Sequence, residues 1–333
     1  MVGELKYVCL SRRKGTVKNV VTAARLKHDY GLEGDAHAGL WHRQVSLLDE
    51  ADINGMRALG LKLKPGAFGE NLVVAGMELA KLGIGSRLTI GGAILELTQI
   101  GKVCHTRCAI YQKTGDCIMP RLGLFARVVR GGELRSGMKV KVAKEVPRDK
   151  MQAAVLTVSD RCAAGVTRDT AGPAVAALLS GRLQANIAWT GIVPDELEQI
   201  ITLLKNLAAR GLDLVVTVGG TGFSPRDVTP EATRAIIQRE APGLAEAMRL
   251  ASAKITPNAW LQRGVCGIYE SSIVINLPGS QKAAVENLTA VVEVMPHAVQ
   301  QVRLGAPHAE AADRKTGGLS RRHWSHSPVK TGV

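Results

Sequence analysis

At 333 residues and 46% apolar content, the chain has material for two domains that each bury a core. No run of about 18 apolar residues occurs, and no signal-length apolar stretch opens the chain; this argues against a membrane span or secretion, so a cytoplasmic protein with its six cysteines reduced is expected. Aromatic residues make up only 3%, which argues against single-strand nucleic-acid binding with its stacking platforms. The formal charge of +14 is uneven: 25 basic against 14 acidic side chains in residues 1–150, 13 against 13 in 151–305, and 5 against 2 in 306–333. A basic first half calls for an anionic partner.

Short apolar runs broken by glycine fill the first half. They predict strands at 5–11, 44–49, 70–76, 87–101 and 126–143, with hairpin turns at the glycine pairs 91–92 and 131–132. One helix is expected over 49–59, starting at Asp49. Many short strands with little helix indicate a β-barrel or curled sheet. The polar stretch KEVPRDK (144–150) reads as a linker.

From residue 151 the rhythm changes. Apolar strands at 153–160, 186–193, 212–218 and 271–277 alternate with helical segments, the last of them one long helix to about residue 303. That alternation predicts a parallel sheet covered on both faces. Residues 306–333 lack periodicity and read as a disordered basic tail.

In such a sheet, ligands bind beyond the carboxyl ends of the strands. TVSDR, PDE, GGTG and LPG all fall there and predict one crevice. The GGTG loop is no Walker loop, since Lys-Ser/Thr is missing, and no dinucleotide fingerprint, since Pro225 replaces its third glycine. Its glycines suit either a tight strand-to-helix turn or a backbone cradle for an anion. In RDVTPEA, Thr229 can cap a helix with Pro230 at its first position, leaving Asp227 outside it. Asp195, after Pro194, is either a helix cap or, with Asp227, a carboxylate able to hold Mg²⁺ beside phosphates.

These motifs, together with D-x-x-GP (169–173), APGLAEAMR, ITPNAWLQR and INLPG, occur in order over about 152–303. They resemble the molybdopterin adenylyltransferases, the MogA/MoaB-like fold shared with the gephyrin G domain. The resemblance implies a three-layer α/β/α domain over 152–305, commonly trimeric, with a mostly parallel sheet. It implies that molybdopterin and MgATP bind, that AMP passes to the pterin's terminal phosphate, and that pyrophosphate leaves. It carries over Asp195 and Asp227 as the catalytic and Mg²⁺-holding pair. Ser159, Asp160, Gly219, Gly220, Thr221, Gly222, Ser252, Pro278 and Gly279 match positions lining the pterin and nucleotide sites. After INLPG this chain has Ser280 and Gln281 where relatives often carry a proline.

In the first half, GKVCHTRCAIYQKTGDC (101–117) sets Cys104, His105, Cys108 and Cys117 close in sequence. Three readings stay open: a zinc site, a thiolate at Cys108 favoured by Arg107 and neighbouring lysines, and unreactive buried cysteine. With the loop 31–49 and the closing run 125–140, this segment resembles the MOSC domain over about 1–143. The resemblance implies a β-rich barrel over 1–145, followed by a linker at 146–151. It also implies binding of molybdenum cofactor, or of sulfur for it, with Cys108 at the family's cysteine position and His37 and Arg43 in the polar loop of the site. Together the two resemblances imply a bifunctional molybdenum cofactor protein. Its further partners would be other cofactor-biosynthesis proteins or molybdoenzymes; a non-catalytic cofactor carrier is the alternative.

Overall fold

The computed structural model describes residues 1–58, 60–101 and 117–305. Among the described residues, eleven short strands build its first half: β1 (Val2–Leu10), β2 (Asn19–Val21), β3 (Ala23–Lys27), β4 (Gly31–Leu32), β5 (Val45–Asp49), β6 (Leu72–Ala75), β7 (Arg87–Ile90), β8 (Ala93–Ile100), β9 (Leu124–Arg130), β10 (Gly132–Arg135) and β11 (Lys139–Lys144). Seven of them pair in the order β11-β7-β8-β9-β5-β6-β1, and β1 pairs back onto β11, closing a barrel without free edges. Alternating side chains such as Leu5, Leu47, Leu88, Leu95 and Val140 fill it and are fully buried.

Helix α1 (Glu50–Ala58) follows β5, and the Asp49 carboxylate accepts from Ala51 N at 3.0 Å, as the sequence predicted for its start. The first glycine pair makes the predicted β7–β8 hairpin, with Gly91 at φ +57°. The second does not make a hairpin: β10 leaves the barrel and pairs with β3 in a separate three-stranded sheet. Gly131 and Gly132 are needed there for close approach, because a Cβ at each would come within 2.6 Å of Leu26 O and 2.9 Å of Ala93 N. A short helix, α2 (Met119–Leu122), leads into β9.

The second half contains β12 (Gln152–Val158), β13 (Asn186–Val193), β14 (Leu214–Val218), β15 (Arg239–Glu240), β16 (Cys266–Tyr269) and β17 (Ser272–Leu277) in the order β13-β12-β14-β17-β16-β15. The first four run parallel, as predicted; β16 and β15 add an antiparallel edge that their shortness hid in the sequence. The helices are α3 (Asp160–Ala163), α4 (Ala171–Arg182), α5 (Leu197–Ala208), α6 (Thr229–Arg234), α7 (Pro242–Ala253), α8 (Gln281–Val291) and α9 (Met295–Gly305). The predicted long C-terminal helix is thus two, divided by a 3-10 turn at Val292–Val294. Neighbouring strand residues feed two apolar clusters: Val155, Val216 and Ile275 pack with α4, α7 and α8, whereas Leu156, Val215 and Val274 pack with α5 and α6.

The connector packs against the barrel. Gly83 N donates to Val146 O at 2.7 Å, and Val146 N donates to Ser86 Oγ at 3.0 Å. Ile84 of the first half is buried in the α5 cluster of the second, and Asn186 Nδ2 donates to Ile84 O at 3.1 Å.

Candidate active site

A cavity of about 390 Å³ opens where β12, β13, β14 and β17 end, and residues following all four line it: Ser159, Asp195, Gly219–Gly220 and Gly279. Two left-handed glycines turn the chain at the floor, Gly219 at φ +106° and Gly220 at φ +61°. A Cβ on Gly220 would collide with Thr229 Oγ1 and stand 2.8 Å from Asp195 Oδ1. The missing Cβ therefore leaves room that Asp195 and Thr229 face. Thr229 is fully buried, and its Oγ1 has no hydrogen-bond partner among the described residues. It does not cap the helix as predicted: α6 begins at Thr229 itself, with Val228 at the cap position and no side-chain capping bond.

The carboxylates are held by backbone. Asp195 is not the cap of α5, which starts at Leu197 with Glu196 at the cap position. Instead Asp195 Oδ2 accepts from Asp160 N at 2.8 Å, and Asp160 Oδ1 accepts in return from Asp195 N at 3.0 Å. Asp227 lies before α6 and accepts from Ser224 N at 2.9 Å. Burial pushes the Asp195 carboxyl up, and the negative charges of Asp160 and Asp227 push it further. A cation in this crevice would relieve that repulsion. Arg226 donates to Asp160 and Glu196 at 2.9 Å each, so it neutralises acids outside the Asp195–Asp227 pair. Arg263 braces the glycine loop by donating to Gly222 O at 2.7 Å and to Asp227 O.

Of the residues predicted for this site, Ser159, Asp195, Gly219, Gly220, Asp227 and Gly279 line the cavity. Thr221 and Gly222 belong to the same loop, and Pro278 adjoins Gly279. Asp160 acts as a brace through Asp195 and Arg226. Ser252 stands apart in α7, where its buried hydroxyl accepts from Asn287 Nδ2 at 2.8 Å. Sequence reasoning missed Arg161, Arg168 and Asp169, which also line the cavity. Asp169, two residues before α4, accepts from Gly172 N in its first turn at 3.0 Å, and it takes the Thr157 hydroxyl at 2.7 Å. The D-x-x-GP motif carried that signal. Among the described residues, no group of three or more His, Cys, Asp and Glu is arranged to hold a metal. A hydrated Mg²⁺ needs fewer protein ligands, because it keeps waters and substrate oxygens.

In the barrel, His37 and Arg43 flank Trp41, whose Nε1 donates to His37 O at 2.7 Å, but their side chains take different partners. His37 joins the buried Lys18–Asp35 pair, with its Nδ1 3.5 Å from Asp35 Oδ1. The Arg43 guanidinium sits 4.8 Å from the Trp41 ring centre, and its Nε is buried without an acceptor among the described residues. Cys104, His105 and Cys108 lie outside the described residues; Cys117 is buried with Ile118, Met119 and Phe125. A second cavity, about 360 Å³, is lined by Trp41, His42 and Arg127 of the barrel half and by Trp189 and Arg210 of the other.

His42 Nε2 faces Gln99 Oε1 at 2.9 Å while Gln99 Nε2 donates to Gly101 O, so the imidazole donates through Nε2. Burial, then the charge of Arg210, push His42 down to about 4. A ring held neutral in the folded state stabilises it fully above the ordinary histidine value of about 6.5, and that contribution is lost as pH falls towards 4. The loss amounts to about 3 kcal/mol. Urea unfolding across this range should show it, and His42→Gln should flatten the slope; an unchanged slope would exclude His42 as its source.

Comparison with known proteins places both halves. Residues 154–297 match the family described as "Probable molybdopterin binding domain", and residues 34–145 match the MOSC domain. Gephyrin of Dictyostelium discoideum is 39% identical over 44% of this chain and 21% of its own length. The molybdenum cofactor synthesis protein cinnamon of Drosophila melanogaster is 44% identical over 54% of this chain and 30% of its own. The chain thus spans less than a third of these two long relatives. The molybdopterin adenylyltransferase of Helicobacter pylori is 42% identical over 44% of this chain and 85% of its own length. Among solved structures, the molybdopterin biosynthesis enzyme MoaB of Thermus thermophilus is 46% identical, covering 47% of this chain and 98% of that one, with a TM-score of 0.44. With its second half matching a short transferase over most of that protein's length, the chain belongs to the molybdopterin adenylyltransferase family, carried behind a MOSC domain.

Proposed function

We propose that the chain adenylylates molybdopterin with ATP in the crevice of its second half. The convergence of Asp195, Asp227 and the Gly219–Gly220 turn on one cavity carries this reading. Three anionic groups must meet: the pterin's phosphate, the α-phosphate of ATP and the departing pyrophosphate. The terminal pterin phosphate oxygen attacks the α-phosphorus as the bond to the β-phosphate oxygen breaks, and that oxygen leaves on pyrophosphate. The protein's work is placement and charge compensation. Backbone N–H groups of the glycine loop and the side chains of Arg161 and Arg168 supply donors along the cavity. Asp195 and Asp227 would hold Mg²⁺, which supplies charge neutralisation between phosphates when bound. Ser159, Gly279 and the loop residues Thr221 and Gly222 would shape the pterin and nucleotide pockets.

The working unit is a domain at 152–305 of three layers, α/β/α, joined by 146–151 to a barrel at 1–145 that binds molybdenum cofactor or sulfur for it. The domain assembles as a homo-oligomer, a trimer by its family, in the cytoplasm. Purified protein mixed with molybdopterin and MgATP should release pyrophosphate stoichiometrically with adenylylated pterin. Pterin binding without release would instead assign the chain as a carrier.

A further inference from the structure

The cavity between the two halves contains a charge imbalance that the adenylylation chemistry does not use. Arg210 follows α5 and reaches the outer wall of the barrel, where it lines the cavity with His42 and Arg127. Its Nε is buried and has no acceptor, and no carboxylate pairs with it among the described residues. Arg127 offers no compensation. It shares the single carboxylate of Glu96 with Arg87, at 2.9 and 2.7 Å respectively. Arg127 and Arg210, with Arg87 paired to Glu96, therefore meet two carboxylates, Glu96 and the exposed Asp29 held by Gln44, which leaves one positive charge over. Burial, and then repulsion from Arg127, push Arg210 down. Desolvating a cation without a counter-charge is costly, and folded chains keep such a group where a ligand supplies the charge. The neighbouring His42 is uncharged near pH 7 and adds an acceptor rather than further positive charge.

We propose that Arg210, contributed by the transferase half, completes an anion site against the outer wall of the barrel that takes a tetrahedral oxyanion, either free or as the terminal phosphate of a small monoester. A guanidinium suits this ligand because its planar fork can donate two parallel bonds to one oxyanion. At about 360 Å³ the cavity accepts a phosphate with a modest organic group, and Trp41 and Trp189 in its wall offer apolar faces to that group. The site needs both halves, which gives the fusion a structural consequence independent of the adenylylation reading.

The test uses the full chain and three probes: inorganic phosphate, molybdate and phenyl phosphate. Binding is followed by calorimetry and by quenching of tryptophan fluorescence. Saturable binding is expected, with affinity lowered about tenfold or more in Arg210→Ala, as for loss of a charge-assisted hydrogen bond. Affinity in Arg168→Ala should be that of the parent, because Arg168 is a donor of the crevice and lies outside this cavity, which separates the two sites. Tighter binding of phenyl phosphate than of the inorganic ions assigns the monoester; the reverse assigns the free oxyanion. Arg210→Lys keeps the charge but loses the fork and should bind with intermediate affinity, so the test stands even if the alanine variant does not fold. Absence of saturable binding, affinity unchanged by both Arg210 substitutions, or binding lost in Arg168→Ala would each overturn the proposal.

Discussion

Asp227→Ala should lower pyrophosphate release by about a hundredfold or more and leave the fold intact. The size follows from losing a group that compensates charge between phosphates, worth about 3–4 kcal/mol in the transition state. The selectivity for activity over stability follows from where the residue sits. Asp227 precedes α6, is half-buried, and accepts one hydrogen bond, from Ser224 N at 2.9 Å. Losing that bond costs about 1 kcal/mol, a shift of a few degrees in the unfolding midpoint. Asp195 is the useful contrast, because its carboxylate also takes the backbone N–H of Asp160, so its removal disturbs the crevice wall as well as the chemistry. Steady-state pyrophosphate release and a melting curve on the same Asp227→Ala preparation decide the matter. Turnover within threefold of the parent would remove Asp227 from the site. A collapsed melting transition would show that the residue serves the fold instead.

The parallel strands were legible because both faces are covered, so each reads as an unbroken apolar run, and ligand-facing loops must follow their ends. The β7–β8 turn was legible because Gly91 serves a local requirement. Gly131 and Gly132 looked the same in sequence but answer to Leu26 and Ala93, distant neighbours that local pattern cannot reveal. Closure of the barrel is hidden for a similar reason: β1 and β11 meet across almost the whole length of the first half. Thr229 was misread because T-P-E is a common helix start, and only the packed structure shows its hydroxyl turned beneath Gly220. The role of Asp195 could not be separated from capping, because both use the same residue type at the same place. Arg210 carried no motif at all. Its significance arises only from the barrel residues that the fold places against it.

Asp35→Ala should destabilise the protein by about 3–5 kcal/mol, the range for breaking a buried ion pair on one side. Lys18 and Asp35 are both buried, and Lys18 Nζ reaches the two carboxylate oxygens at 2.7 and 2.6 Å. Burial pushes the Asp35 carboxyl up, but hydrogen bonds from His37 and Lys18 outweigh it and hold the group below the ordinary carboxylate range. Asp35 also accepts from Ser11 N and His37 N at 3.0 Å each, so it fixes the loop that carries His37. The pair is thus both an electrostatic contact and the local scaffold of the barrel's polar loop. With its folded value depressed, Asp35 contributes stability above the ordinary value of about 3.9, and that contribution is lost as pH falls below it. The neighbouring Glu70 accepts from Gly66 N and Phe68 N, yet burial still pushes it up, so it is poorly placed to take over the charge of Lys18. Removing both charges tests this account. The double change Lys18→Met with Asp35→Leu should recover most of the loss, because the desolvated lysine is what makes the single change severe. Urea unfolding of the parent, the single variants and the double variant gives the coupling directly. Additive losses in that cycle would refute the ion-pair account and leave Asp35 acting only through its backbone hydrogen bonds.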